Sequence, residues 1–173
     1  MRERYRCIAR VQKSHGKNGE VVAVPVHGLP VVLAEGLDVC VVPPRLKGER
    51  WKTVESCFTD DREGCLIKLS GVDDIGKAKE LAGRYLLARE ADLPGDLELH
   101  DADRLIGREV EDARLGMRGI ITEVMRGVAN DAWAIDVDGE EILIPVVDHV
   151  VSEVPESGPI PVNAEGFFGL EGR

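Results

Sequence analysis

The sequence predicts a mostly β protein, two small β-barrels in tandem with one short helix near residues 74–82. Three observations lead there. Short runs rich in β-branched residues recur along all 173 residues, separated by clusters of Gly, Pro, Asn and Asp. Only one stretch has clear helical periodicity. The charge also changes sign near the middle of the chain: residues 1–90 hold 16 Lys and Arg against 13 Asp and Glu, and residues 91–173 hold 6 against 19. A balance of +3 followed by −13 points to two units with different partners. The units are placed at 1–90 and 104–173, and the acid-rich, weakly periodic stretch 91–103 is read as the linker.

In order along the chain, Tyr5 to Lys13 and Glu20 to Val26 read as strands joined by the turn Ser14-His15-Gly16-Lys17-Asn18-Gly19, whose small residues accept turn geometry. Leu37 to Val42, Trp51 to Phe58 and Cys65 to Leu69 follow. Pro43-Pro44 stops the first of these, and Asp60-Asp61-Arg62-Glu63-Gly64 turns between the other two. The helix spans Asp74 to Ala82, with Ile75, Ala78, Leu81 and Ala82 at helical spacing and Lys77, Lys79 and Glu80 on the outer face. Asp73 or Asp74 caps its start and Gly83 ends it. Placed before the strand Arg84 to Ala88, it reads as a lid on a barrel. In the second half, strands are expected at Leu105 to Val110, Gly119 to Val124, Ala132 to Val137, Glu141 to Val146 and Val150 to Val154. Asp138-Gly139 between two apolar runs signals a two-residue hairpin turn, because such a turn needs positive φ. Trp133 is expected in the core on one face with Ile135 and Val137, and Ile142 to Val147 reads as a buried strand.

Composition and motifs exclude several function classes. With 43% apolar and 31% charged residues the chain is globular rather than disordered. No run reaches the ~18 apolar residues of a membrane helix, and the start leads into no signal-peptide stretch, so a cytoplasmic protein is expected. Cys7, Cys40, Cys57 and Cys65 form no CxxC pair and read as inert thiols. Phosphate-loop, dinucleotide, nucleophile-elbow and zinc-protease signatures are absent, and His15, His27, His100 and His149 lie far apart. A non-enzymatic protein without metal or cofactor is therefore expected. The segment His15 to Glu20 runs into a strand rather than a helix N-terminus, so it is a turn and not a phosphate cradle.

Two surfaces stand out. Arg2, Arg4, Arg6, Arg10, Lys13 and Lys17 cluster at the start with mostly even spacing, which on a regular strand would put several on one face. Arg4, Arg6, Lys13, His15 and Lys17 are the candidate RNA contacts, beside the bland reading of a solvated barrel edge. In the acidic half, Glu109 and Glu111 end one strand while Asp136, Asp138, Glu140 and Glu141 surround the hairpin, without calcium-loop spacing. These six are candidates for docking a basic protein, since complementary charge steers encounter.

The stretch Ile8-Ala9-Arg10-Val11 through Ser14-His15-Gly16-Lys17-Asn18-Gly19-Glu20-Val21 resembles the opening of the RimM family of bacterial ribosome maturation factors. Gly83-Arg84-Tyr85-Leu86 looks like the close of that family's first domain. Leu105-Ile106-Gly107, Gly127-Val128-Ala129-Asn130-Asp131, Ile144-Pro145-Val146-Val147 and the stretch from Pro161 to Phe168 are similar to its PRC-barrel domain. The resemblance implies a translation-factor-like barrel followed by a PRC barrel. It further implies a non-enzymatic role in assembling the head of the small (30S) ribosomal subunit and processing 16S rRNA, through binding the small-subunit ribosomal protein numbered nineteen. The stretch His100 to Gly107 lacks the aromatic pair usual there in the family, so no docking residue is carried over from that pair. A direct RNA-binding module and a small-ligand barrel are the alternatives.

Overall fold

A computed structural model describes residues 2–43, 49–59 and 64–167. Pro44, Asp60 to Glu63 and Phe168, which enter the turn and resemblance readings above, lie outside the described residues. By its contacts the chain divides into Met1–Pro94 and Gly95–Arg173.

The first unit is a closed barrel of six strands: β1 Tyr5–His15, β2 Glu20–Pro25, β3 Asp38–Val42, β4 Trp51–Thr59, β5 Cys65–Leu69 and β6 Tyr85–Arg89, in the order β1-β2-β5-β4-β3-β6. Closure leaves no free sheet edge. Inward positions are taken by β-branched and aliphatic side chains, among them Val11, Val21, Val39, Val54, Ile67 and Leu86, all buried.

The helix α1 spans Ile75–Leu81, and the Asp74 carboxylate accepts a hydrogen bond from the Lys77 N–H at 2.8 Å, capping it. Ala78 and Leu81 are buried and the helix packs on β1 and β2. Ile75, expected on the buried face, is the first residue of the helix and is 41% exposed. After the helix, Gly83 takes φ +81° and its N–H donates to Val11 O at 2.8 Å, returning the chain to the barrel.

In the second unit β7 Glu109–Asp112, β8 Met117–Met125, β9 Ala132–Val137, β10 Glu140–Pro145 and β11 Ile160–Pro161 form a five-stranded sheet ordered β10-β9-β8-β7-β11. Asp138 and Gly139 have φ of +54° and +89°, the turn geometry their sequence signals. Trp133 and Ile135 are fully buried and Val137 nearly so.

Three expected elements differ. Residues Leu105 to Val110 are not one strand: α2 covers Ala102–Leu105, capped by the buried Asp101, and β7 starts at Glu109. A four-residue helix is too short to show a period, so its apolar end reads as strand. Val150 to Val154 is not a strand either. The Val150 and Val151 N–H groups both donate to Val147 O, at 2.8 and 2.9 Å, and both side chains are buried, so a turn packs these valines into the core against their β propensity. The fifth strand is instead the short β11, parallel to β7. The segment read as linker is ordered, with 3-10 turns at Glu90–Asp92 and Leu97–His100. From residue 95 it belongs to the second unit, where Leu97 is buried and the Trp133 indole N–H donates to Leu99 O at 3.2 Å.

The turn between β1 and β2 depends on one glycine. Gly19 has φ +89°, and a Cβ there would stand 2.0 Å from Val72 O, whereas a Cβ on Gly16 meets nothing within 4 Å. The Lys68 ammonium closes the same corner by donating to Asn18 O at 2.8 Å and Val72 O at 3.1 Å. Gly19→Ala is therefore expected to lower stability by about 2 kcal/mol or more, and Gly16→Ala by only about 1 kcal/mol, in chemical denaturation.

Candidate docking surfaces

The even spacing of the basic residues does not survive in β1. The strand carries an extra residue, Ile8, against β6 and another, Gln12, against β2. Each bulge shifts the in–out alternation by one: Ile8 and Ala9 are buried in succession, and Gln12 and Lys13 are exposed in succession. Arg10, Lys13 and His15 consequently share the outer face, opposite Val24, Val22 and Glu20 of β2. Arg6 falls on the other side of the Ile8 bulge, half-buried and opposite the inward Ala88. Arg4 precedes the strand and Lys17 sits exposed in the turn. Arg10, which spacing alone assigned to the broader basic cluster, joins the outward group, whereas Arg6 leaves it.

The acidic residues are brought closer together. Pairing runs Glu109 to Ile120, Ile120 to Asp136 and Asp136 to Glu141, so one row of outward side chains crosses β7, β8, β9 and β10. Glu111 lies in the next row opposite Arg118, whose guanidinium reaches Glu111 at 2.9 Å and Glu109 at 3.5 Å. Asp138 gives its backbone to the turn with its side chain exposed, and Asp136 helps hold the turn by accepting from the Gly139 N–H at 3.0 Å. Glu140 has the opposite phase, facing the position of the inward Val137. Asp136 and Glu141 are exposed and directly opposed, an arrangement of like charges that destabilises a sheet.

Two apolar side chains also emerge on this face. Ile120 is 43% exposed within the acidic row, and Leu143 is 48% exposed one row away on β10. Ile142 and Ile144 are buried, so the expected fully buried strand is two-faced. Glu141 alone marks the outward phase, and the unbroken apolar run from Ile142 to Val147 reads as buried on both faces.

Buried carboxylates fasten the loops around the sheet. Asp131 lies 2.7 Å from His100 Nδ1 and accepts from Arg126 at 2.6 Å and from the Gly127 N–H at 3.3 Å. Burial pushes its carboxyl pKa up, but these donors outweigh it and hold the pKa below the ordinary carboxylate value. With Asp96, Asn130, Val147 and Asp148 the pair lines a polar cavity of about 360 Å³. That cavity gathers parts of the Gly127 to Asp131 and Ile144 to Val147 segments with His100, from the stretch that lacks the aromatic pair. Asp112 does the same at the other end, accepting from the N–H groups of Ala164 at 2.8 Å, Arg114 at 3.0 Å and Leu115 at 3.2 Å. Burial raises its pKa, and again the backbone donors outweigh it and leave it lowered.

Among the described residues no group of three or more His, Cys, Asp and Glu is arranged to hold a metal ion. Burial, and then the neighbouring Cys57, push the Cys65 thiol up to about 12, so it stays protonated. No helix of the described residues is long and apolar enough to cross a membrane.

Comparison with known proteins gives consistent matches. The RimM N-terminal domain family model matches residues 6–93. Ribosome maturation factor RimM of Acetivibrio thermocellus is 29% identical over 154 residues, 87% of each chain. The Chlorobium phaeobacteroides protein of that name is 28% identical over 165 residues, 86% of this chain and 88% of its own. Among solved structures, a RimM from Pseudomonas aeruginosa aligns over 94% of this chain and 99% of its own, with 19% identity and a TM-score of 0.43. The RimM N-terminal domain from Thermus thermophilus aligns over 53% and 95%, with 24% identity and a TM-score of 0.42.

The depressed carboxyls generate a pH prediction. A folded-state pKa below the unfolded value of about 3.9 contributes stability that is complete above it and is lost as pH falls through the folded value. Asp112→Asn should cost about 1–3 kcal/mol near neutral pH through weakened acceptance of three N–H bonds. In urea melts across pH, the difference from the parent should shrink below pH of about 4. A gap that stays constant down to strong acid would show that these bonds do not need the charged carboxylate.

Proposed function

Because this chain belongs to the RimM family of ribosome maturation factors, we propose that it assists assembly of the head of the small (30S) ribosomal subunit and processing of 16S rRNA by binding a basic small-subunit ribosomal protein, the one numbered nineteen. On this reading it works in the cytoplasm and without catalysis of its own. Residues 1–90 and 104–173 then act as a translation-factor-like barrel and a PRC-barrel domain with separate contacts.

The observation that carries the reading is the row Glu109, Ile120, Asp136 and Glu141, which crosses four strands of the second unit. An acidic face repels a phosphate backbone and attracts a lysine- and arginine-rich protein. The opposed Asp136 and Glu141 gain most, because a cation set between them removes a repulsion that the free protein carries. Ile120 and Leu143 supply apolar contact that outlasts added salt. Glu109 and Glu111 are partly neutralised by Arg118 and contribute less, while Asp138 and Glu140 lie at the rim.

A second reading, RNA contact by the first unit, draws on the outward face shared by Arg10, Lys13 and His15 together with Lys17 in the adjoining turn. Arg4 and Arg6 are its less favoured members.

Binding of the purified ribosomal protein, followed over a range of salt, tests the first reading. Affinity should fall as salt rises, and Glu141→Lys should slow association about tenfold. The same variant should raise the unfolding midpoint slightly, since it replaces a like-charge pair with an attractive one. Failure to bind at low salt would sink the docking claim. If RNA contact dominates instead, Arg10→Glu with Lys13→Glu abolishes subunit binding and Glu141→Lys leaves it intact.

A further inference from the structure

The first unit has a groove of about 540 Å³ between the loop 32–38 and the turn 92–94. Its lining mixes apolar Val32, Leu37 and Leu93 with the carboxylates of Glu35, Asp38 and Asp92. Beside it the barrel already holds one guanidinium of its own. Arg89 lies 4.1 Å over the Trp51 ring, and its nitrogens stand 3.4 Å from Glu3, 3.7 Å from Asp92 and 4.0 Å from Asp38. Asp38 and Asp92 are half-exposed where they line the groove; Asp38 also accepts from the Thr53 hydroxyl at 2.6 Å, which leaves Glu35 as the carboxylate outside the Arg89 ion pairs. With Glu35 added, the carboxylates outnumber the single cation and the groove is net negative, in a unit whose overall balance is slightly positive.

Such a lining selects a ligand class. Phosphate groups meet repulsion from Glu35, Asp38 and Asp92. A lysine or arginine side chain fits both halves of the lining, its head toward the carboxylates and its aliphatic stem along Leu37 and Leu93. Apolar neighbours in the same segment would find Val32. We infer that this groove docks a basic, extended segment of a partner protein, apart from the acidic face of the second unit. The protein would thereby hold basic protein at two places, and the first unit would not be reserved for RNA. This inference does not depend on the identity of the ribosomal protein proposed above.

The test uses the full chain, isotope-labelled, titrated at low salt with a short synthetic peptide alternating arginine with alanine and leucine. Amide shifts should change at residues 32–38 and 92–94. Glu35→Gln combined with Asp92→Asn should weaken the groove-localised binding by about threefold to tenfold, the range expected for two exposed ion pairs. Glu35→Lys, at an exposed position outside the Arg89 ion pairs, should weaken it as well without disturbing the barrel. Asp136→Asn with Glu141→Gln should leave the shifts at the groove in place. Shifts confined to the second unit, or groove affinity unchanged by Glu35→Lys, would overturn the inference. So would a uridine oligonucleotide that moves the groove amides while the peptide does not.

Discussion

To close the barrel, β1 pairs with β2 on one edge and β6 on the other, and it meets both by inserting Ile8 against β6 and Gln12 against β2. A bulge adds local twist and reverses the side-chain phase beyond it. The core accepts this because Ile8 and Ala9 turn inward together. The surface changes more, since the same step puts Arg10, Lys13 and His15 outward and moves Arg6 to the opposite phase. A similar device in β8, where Thr122 is extra against β9, helps bring Glu123 out while Ile121 and Val124 face the core side. What each unit offers to a partner is set by where these insertions fall.

The second unit uses buried charge differently. Asp112 and Asp131 give up solvation for fixed donors, most of them backbone N–H groups or cationic side chains. Among the described residues no buried side-chain nitrogen or oxygen is left without a partner. That matters because an unsatisfied buried acceptor costs about 1–3 kcal/mol. Asp131 ties the loop after β8 to the turn at His100, and Asp112 ties the β7–β8 turn to the segment after β11. The sheet itself is regular, and its irregular surroundings are held by these two carboxylates.

The remaining acids are left on the surface, where their mutual repulsion is a small standing cost. The opposed Asp136 and Glu141 carry that repulsion in the free protein, where the strand pairing sets them side by side. Arg118 shows the alternative outcome within the same sheet: where the chain supplies its own cation, Glu109 and Glu111 are already partly neutralised. In the first unit Arg89 plays the corresponding part for Glu3, Asp38 and Asp92, but only in part. Net charge read over a whole half therefore overstates some sites and conceals others.

The sequence by itself determined the β-rich architecture, the sign change between halves, the capped helix α1, the Asp138-Gly139 hairpin and the buried Trp133. Each rests on local propensity, turn chemistry or alternation, which neighbouring residues encode. The resemblance to the RimM family was legible too, since it lies in ordered short motifs. Tertiary structure alone decided the bulge positions, the short helix Ala102–Leu105 at the head of the expected strand, the turn at Val150 and the pairing of β11 with β7. Those outcomes depend on partners distant in sequence: a bulge exists only against a paired strand, and Val150 gave up extension for core contacts. Likewise the row from Glu109 to Glu141 and the groove at Glu35 join residues more than thirty positions apart, and only the folded sheet and barrel set their registers.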